Sequence, residues 1–155
     1  VHEQRTSYGI TTGFGAFANR RIPPGKVLEL QANLVRSHAT GVGAPLAPTH
    51  VRRILLLKAN NLAAGYSGVR PEVVDALLAL LAHDVLPVIP GRGSVGASGD
   101  LAPLAHLVLA LLGEGEALQG GRRLDGPEVC AAAGFAPVRL EAKEGLALLN
   151  GTQVS

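Results

Sequence analysis

The chain reads as a mainly α protein, and three observations point there. Apolar residues recur at helical spacing in several stretches. Gly and Pro clusters punctuate those stretches. A Gly-Gly pair at residues 120 and 121 gives the one place where a small β-hairpin is expected, around Glu116 to Leu124. The first 25 residues, rich in Gly and Thr and ending in Pro23-Pro24-Gly25, read as loop. Val27, Leu30, Leu34 and Val35 predict a helix to about Ala39, closed by Gly41 and Gly43. Pro45 and Pro48 form a linker, and Thr49 is the expected N-cap of a second helix running to about Ala64. Pro71 opens a third helix, in which Val73/Val74, Leu77/Leu78 and Leu80/Leu81 repeat at i, i+3, i+4 and i+7. Pro87 and Pro90 stop it. Asp100 is the expected N-cap of a fourth helix carrying Leu101, Leu104, Leu107 and Leu111 to Gly113. Two short helices, near Pro127–Ala133 and Ala142–Leu149, complete the pattern.

With 155 residues, 47% of them hydrophobic and 17% charged, the chain can bury a core, which excludes a disordered tail. Aromatics are 3% and the net charge is +2, so neither a base-stacking platform nor a dense phosphate-binding face is available, and no nucleic-acid partner is expected. The single cysteine, Cys130, excludes an intrachain disulfide and is expected buried and inert. That cysteine usage makes a cytoplasmic location the expectation, and since no apolar run approaches membrane-spanning length no membrane association is expected. The chain starts at Val1 and contains no Met, and it reads as a fragment.

Gly91-Arg92-Gly93-Ser94-Val95-Gly96 matches a dinucleotide fingerprint, with Glu116 at a suitable distance. Its context is wrong, because Pro87 and Pro90 interrupt the strand that should lead into the first glycine, and no nucleotide cofactor is expected. His50 and His83 have no ligand partner at i+4, so no metal is expected. His106 reads as a hydrogen-bonded structural histidine, and His2 as mobile near the chain start.

Ala97-Ser98-Gly99 taken alone reads as a turn. It also has the composition of a self-processing tripeptide. The Gly99 nitrogen can close a five-membered ring on the Ala97 carbonyl carbon with loss of that oxygen as water, and loss of the Ser98 hydroxyl as a second water leaves an exocyclic methylene. That chemistry needs a small first residue, a hydroxyl in the middle and a third residue without a side chain. A helix N-terminus beside the ring would add partial positive charge.

The run Gly93-Ser94-Val95-Gly96-Ala97-Ser98-Gly99-Asp100-Leu101-Ala102-Pro103-Leu104-Ala105-His106 resembles the signature of the aromatic amino acid ammonia-lyases. Tyr8-Gly9-Ile10-Thr11-Thr12-Gly13-Phe14-Gly15, Arg36-Ser37-His38-Ala39-Thr40-Gly41-Val42-Gly43 and Lys143 to Gln153 resemble three further segments of that family, in the same order. The pair Ser37-His38 resembles the histidine-specific branch, where the tyrosine-specific branch resembles His-Leu and the phenylalanine-specific branch Phe-Leu.

The resemblance implies a truncated helical ammonia-lyase fold, with residues 1–155 the N-terminal, loop-bearing part of one larger lyase domain and a later helical bundle absent. It implies elimination of ammonia from L-histidine to give trans-urocanate, by a 4-methylidene-imidazol-5-one (MIO) electrophile formed from Ala97, Ser98 and Gly99. Tyr8 becomes the base for the β-proton, a role that requires ionising a phenol of ordinary pKa about 10. His38 becomes a contact for the substrate side chain, and Asn150 a contact for substrate or electrophile. On residue chemistry alone His38 also reads as a partner of the last helix carbonyls, and Asn150 as a helix C-cap. The resemblance further implies a homotetramer when full length, with later helices covering apolar faces at Val73–Leu81 and Leu101–Leu112. A phenylalanine or tyrosine ammonia-lyase or aminomutase with the same electrophile is the alternative enzyme, and a non-enzymatic helical interaction module the alternative outside enzymes.

Overall fold

The computed structural model describes residues 7, 8, 10, 12, 13, 19–94 and 99–155. After a short 3-10 turn at Pro24–Lys26, the chain runs through α1 (Val27–His38), β1 (Val42–Pro45), α2 (Pro48–Ala63), α3 (Pro71–Ala82), β2 (Leu86–Pro87) and β3 (Pro90–Arg92). It continues through α4 (Leu101–Leu111), β4 (Glu116–Gln119), β5 (Arg122–Asp125), α5 (Gly126–Ala133) and α6 (Glu144–Leu149). The expected mainly α class holds, and so does the hairpin: β4 and β5 pair antiparallel, with Gln119 opposite Arg122.

The strand content exceeds the single hairpin expected. Leu86 and Pro87 add a third antiparallel strand beside β4, and β1 pairs β3 in a second, irregular sheet in which Pro45 opposes Pro90. Pro45, Pro87 and Pro90 look like linker residues because proline cannot donate to a ladder, yet short edge strands tolerate it. Helix starts also differ from expectation. Thr49 lies inside α2, which opens on Pro48 after an extended Ala47. Proline's fixed φ and missing N–H suit the first turn, so no side-chain cap is needed there.

The core centres on α4, whose Leu104, Leu107, Val108 and Leu111 are fully buried. It packs against α1, α5 and α6, while α2 packs against α3. The apolar faces expected to await later helices are mostly covered within these residues. Val73, Leu77 and Leu80 are buried, and on that helix Leu78 remains exposed. The reason is topological: α2 and α5 pack on α3, and β2, β4 and α5 pack on α4.

The buried polar and charged residues among those described are Thr12, Gln31, Lys58, Asp100 and Glu144. Four of these hold α6 and the segment after it. The Gln31 amide oxygen accepts from the Gly145 N–H at 3.0 Å, serving the free N–H groups at the start of α6. Glu144 accepts from the Arg70 backbone N–H (2.9 Å), Arg70 Nε (3.0 Å), Arg70 Nη2 (2.9 Å) and the Glu141 N–H (2.7 Å). Burial pushes the Glu144 carboxyl up, but these hydrogen bonds and the Arg70 charge outweigh it and hold it below the usual range.

Because its folded pKa lies below the ordinary value of 4.5, Glu144 contributes stability that is complete above that pH and fades as pH falls through the folded value. Arg70→Ala should cost about 2 kcal/mol at neutral pH, less than a fully buried pair because the guanidinium is 40% exposed. The gap to the unsubstituted protein should narrow below pH 4.5 as Glu144 protonates, which urea denaturation at the two pH values will measure.

Candidate active site

Gly99 and Gly151 form a parallel bridge, and the Asp100 N–H donates to the Gly151 carbonyl at 2.8 Å. The C-terminal residue of the candidate tripeptide therefore lies against the residue that follows Asn150. Gly99 has φ +106°, and a Cβ built there would run into the Gly151 carbonyl oxygen. Both the backbone conformation and the space require glycine. Ala97 and Ser98 lie outside the described residues. Asn150 is exposed and occupies the C-cap of α6, its N–H donating to Leu146 O at 3.0 Å, so the capping role expected of it is present.

Asp100 sits at the N-cap position of α4 but its side chain makes no capping bond, contrary to expectation. Its carboxylate turns instead to the chain beyond α6. Oδ2 accepts from the N–H groups of Val154 (2.9 Å) and Ser155 (3.1 Å), and Oδ1 from the hydroxyls of Ser155 (2.9 Å) and Ser94. Burial pushes this carboxyl up and the four hydrogen bonds bring it below its ordinary value, so it is ionised at neutral pH. An anion fixed at the start of α4 offsets part of the positive helix end expected beside the tripeptide.

His38 is the last residue of α1. Its Nδ1 lies 2.8 Å from Leu34 O, and because a carbonyl only accepts, Nδ1 carries the proton. Nε2 is then the acceptor of the neutral ring. The Ser37 hydroxyl donates to the same carbonyl at 2.9 Å. The histidine thus bonds a carbonyl one turn back near the end of its own helix, the partner that residue chemistry alone suggests. The loop near Gly41 is held from elsewhere: the Gly41 N–H donates to His106 Nε2 at 3.0 Å, and burial lowers the His106 pKa. His106 is structural, as expected, and ties the segment after His38 to α4. Arg36, in the same stretch, is engaged by Glu114 through Nε (2.8 Å) and Nη2 (2.5 Å).

Tyr8 lies in a turn closed by the Ile10 N–H and Ser7 O (3.1 Å), and is 58% exposed. The structure thus joins Gly99 to the residue that follows Asn150 and ties the segment after His38 to α4.

Lys58 was not singled out by sequence reasoning. It is fully buried in α2, and Nζ donates to Ala147 O at 2.9 Å and Asn150 O at 2.7 Å. Desolvation lowers its pKa to about 8. A signal existed: Val51, Ile54, Leu55 and Leu62 form the apolar stripe of α2, and Lys58 falls on it. Gln31 interrupts the stripe of Val27, Leu34 and Val35 in the same way.

The aromatic amino acid lyase family model matches residues 1–155, and the chain belongs to that family. It is 63% identical over 146 residues to the histidine ammonia-lyase of Gloeobacter violaceus, covering 94% of this chain and 28% of that protein. Among solved structures it resembles histidine ammonia-lyase from Trypanosoma cruzi (TM-score 0.87, 44% identity, 99% of this chain and 29% of that one). It also resembles Pantoea agglomerans phenylalanine aminomutase (TM-score 0.90, 35% identity, 99% and 29%). The chain spans about three tenths of the length of the curated relatives it matches.

The crowding at Gly99 is separable from its backbone conformation. Gly65 also has a left-handed φ (+84°), but a Cβ there meets nothing within 4 Å. Gly65→Ala should cost about 1 kcal/mol from strain alone, whereas Gly99→Ala should cost about 1 kcal/mol more and expose the Asp100 N–H to exchange. Denaturant titration together with amide exchange will compare the two.

Proposed function

We propose that the protein containing these residues is an ammonia-lyase that converts L-histidine to trans-urocanate and ammonia. The observation that supports this is the Gly99–Gly151 contact: the last residue of a cyclisable tripeptide pairs with the residue after Asn150, at a position only glycine can occupy. Family membership and the histidine ammonia-lyase relatives support the same reading.

Gly99 fits the demand for a third residue without a side chain, so Ala97, Ser98 and Gly99 are the residues that would form the MIO group. Once formed, that group would supply an electrophilic carbon to activate loss of the amine. The chain's own side chains do the rest. Tyr8 is the base that removes the β-proton. His38, its Nδ1–H held by Leu34 O, offers Nε2 as an acceptor for an imidazole N–H, a donor that phenyl and phenol rings lack at that position. The Asn150 amide contacts substrate or the electrophile, with Lys58 and Gly151 fixing its backbone. A cytoplasmic homotetramer completes the reading. The second reading, an aminomutase with the same electrophile, is favoured by the similarity to the phenylalanine aminomutase structure.

Ser98→Ala should abolish the two-water mass deficit and lower turnover by roughly three or more orders of magnitude, as measured by intact mass and urocanate absorbance. Retained near-normal activity would remove the electrophile assignment.

His38→Leu should lower kcat/KM for L-histidine by about 10- to 100-fold, equivalent to about 1–3 kcal/mol, and relatively favour L-phenylalanine or L-tyrosine. A substrate panel on both proteins reads this, and an unchanged value for histidine would make His38 purely structural.

A further inference from the structure

A fully buried lysine needs a reason. Among the described residues Lys58 has no carboxylate partner; it donates to two backbone carbonyls at the end of α6, those of Ala147 and Asn150. Those carbonyls have no intrahelical donors, and they carry the negative end of the helix. Burying an ammonium without an anion is expensive, and methionine or leucine would fill the same space in α2 without that cost. What the amine adds is a fixed position for two particular oxygens, one of which belongs to Asn150.

We propose that Lys58 is a positioning residue for the candidate site, holding the Asn150 backbone and, through the next residue, the Gly151 carbonyl that abuts Gly99. The chain of contacts is continuous. Nζ binds Asn150 O at 2.7 Å, and the peptide that follows carries Gly151, whose carbonyl accepts from the Asp100 N–H at 2.8 Å beside the Gly99 bridge. The other end of α6 is already fixed by Gln31 and Glu144, so Lys58 supplies the remaining restraint on the end that carries the functional amide. An active role for Asn150 rests on the lyase reading above, whereas the positional role of Lys58 does not.

The test uses Lys58→Met, Lys58→Arg and Lys58→Gln in the whole protein that contains these residues. In Lys58→Met, the Asp100 and Asn150 amides should exchange about 10-fold faster or more, while those of α3 keep their rates. The two-water mass deficit should become incomplete, and kcat for L-histidine should fall roughly 100-fold with a much smaller change in KM, because a displaced amide costs orientation more than binding. Lys58→Arg keeps a donor and should recover most of both readouts. If Lys58→Met does not fold, Lys58→Gln serves: its amide is too short to reach both carbonyls, and the same changes are expected. Native exchange at Asp100 and Asn150 in a folded Met or Gln variant would overturn the proposal, as would native kcat in such a variant. Faster exchange in a protein that never acts on L-histidine would support the positioning and remove the histidine reading instead.

Discussion

Four buried polar side chains pin one short helix and the strand-like segment behind it, and the candidate site depends on that arrangement. α6 is only six residues long, too short to be stable on its own. Gln31 meets its first turn, Glu144 locks it to Arg70, Lys58 gathers its last carbonyls, and Asp100 holds Val154 and Ser155 beyond it. Each of these groups is costly to bury, and each is satisfied by backbone atoms or by a charged partner. Between them they fix both ends of α6 and the segment after it, which includes Gly151 and, through it, the contact with Gly99.

The restraint has a direction. α1, α2 and α4 are long, apolar on their inner faces and secured by packing, so they can act as fixed posts. The site segments are attached to those posts by hydrogen bonds: the loop after His38 to His106 in α4, Asn150 to Lys58 in α2, and Gly99 to the chain after α6. Packing sets the scaffold, and directional bonds set the backbone path of the functional residues. This division suits the proposed chemistry on a ring made from the backbone, in which the position of main-chain atoms matters as much as that of side chains.

Helix periodicity made α1 through α4 legible, because their buried stripes repeat over three turns or more, and the Gly120-Gly121 turn revealed the hairpin. Four motifs in order made the family resemblance legible as well, and the family match covers the same residues. The strands at Pro45, Pro87 and Pro90 stayed hidden, since edge pairing between prolines leaves no alternation to read. The burial of α4 on all sides was also missed, because one helix's apolar face says nothing of what covers it.

Asp100 and Lys58 show where the boundary lies. The order of residues determined that an acidic side chain would stand before α4, that glycine would follow Ser98, and that a lysine would interrupt the stripe of α2. Only the fold decided that the acid would serve Val154 and Ser155 instead of its own helix, that the glycine would face Gly151, and that the lysine would end on Asn150. Local sequence fixes a residue's type and its face on an element. Partners tens of residues away are chosen by how the elements pack, and a buried polar group takes whichever partner that packing brings within hydrogen-bond reach.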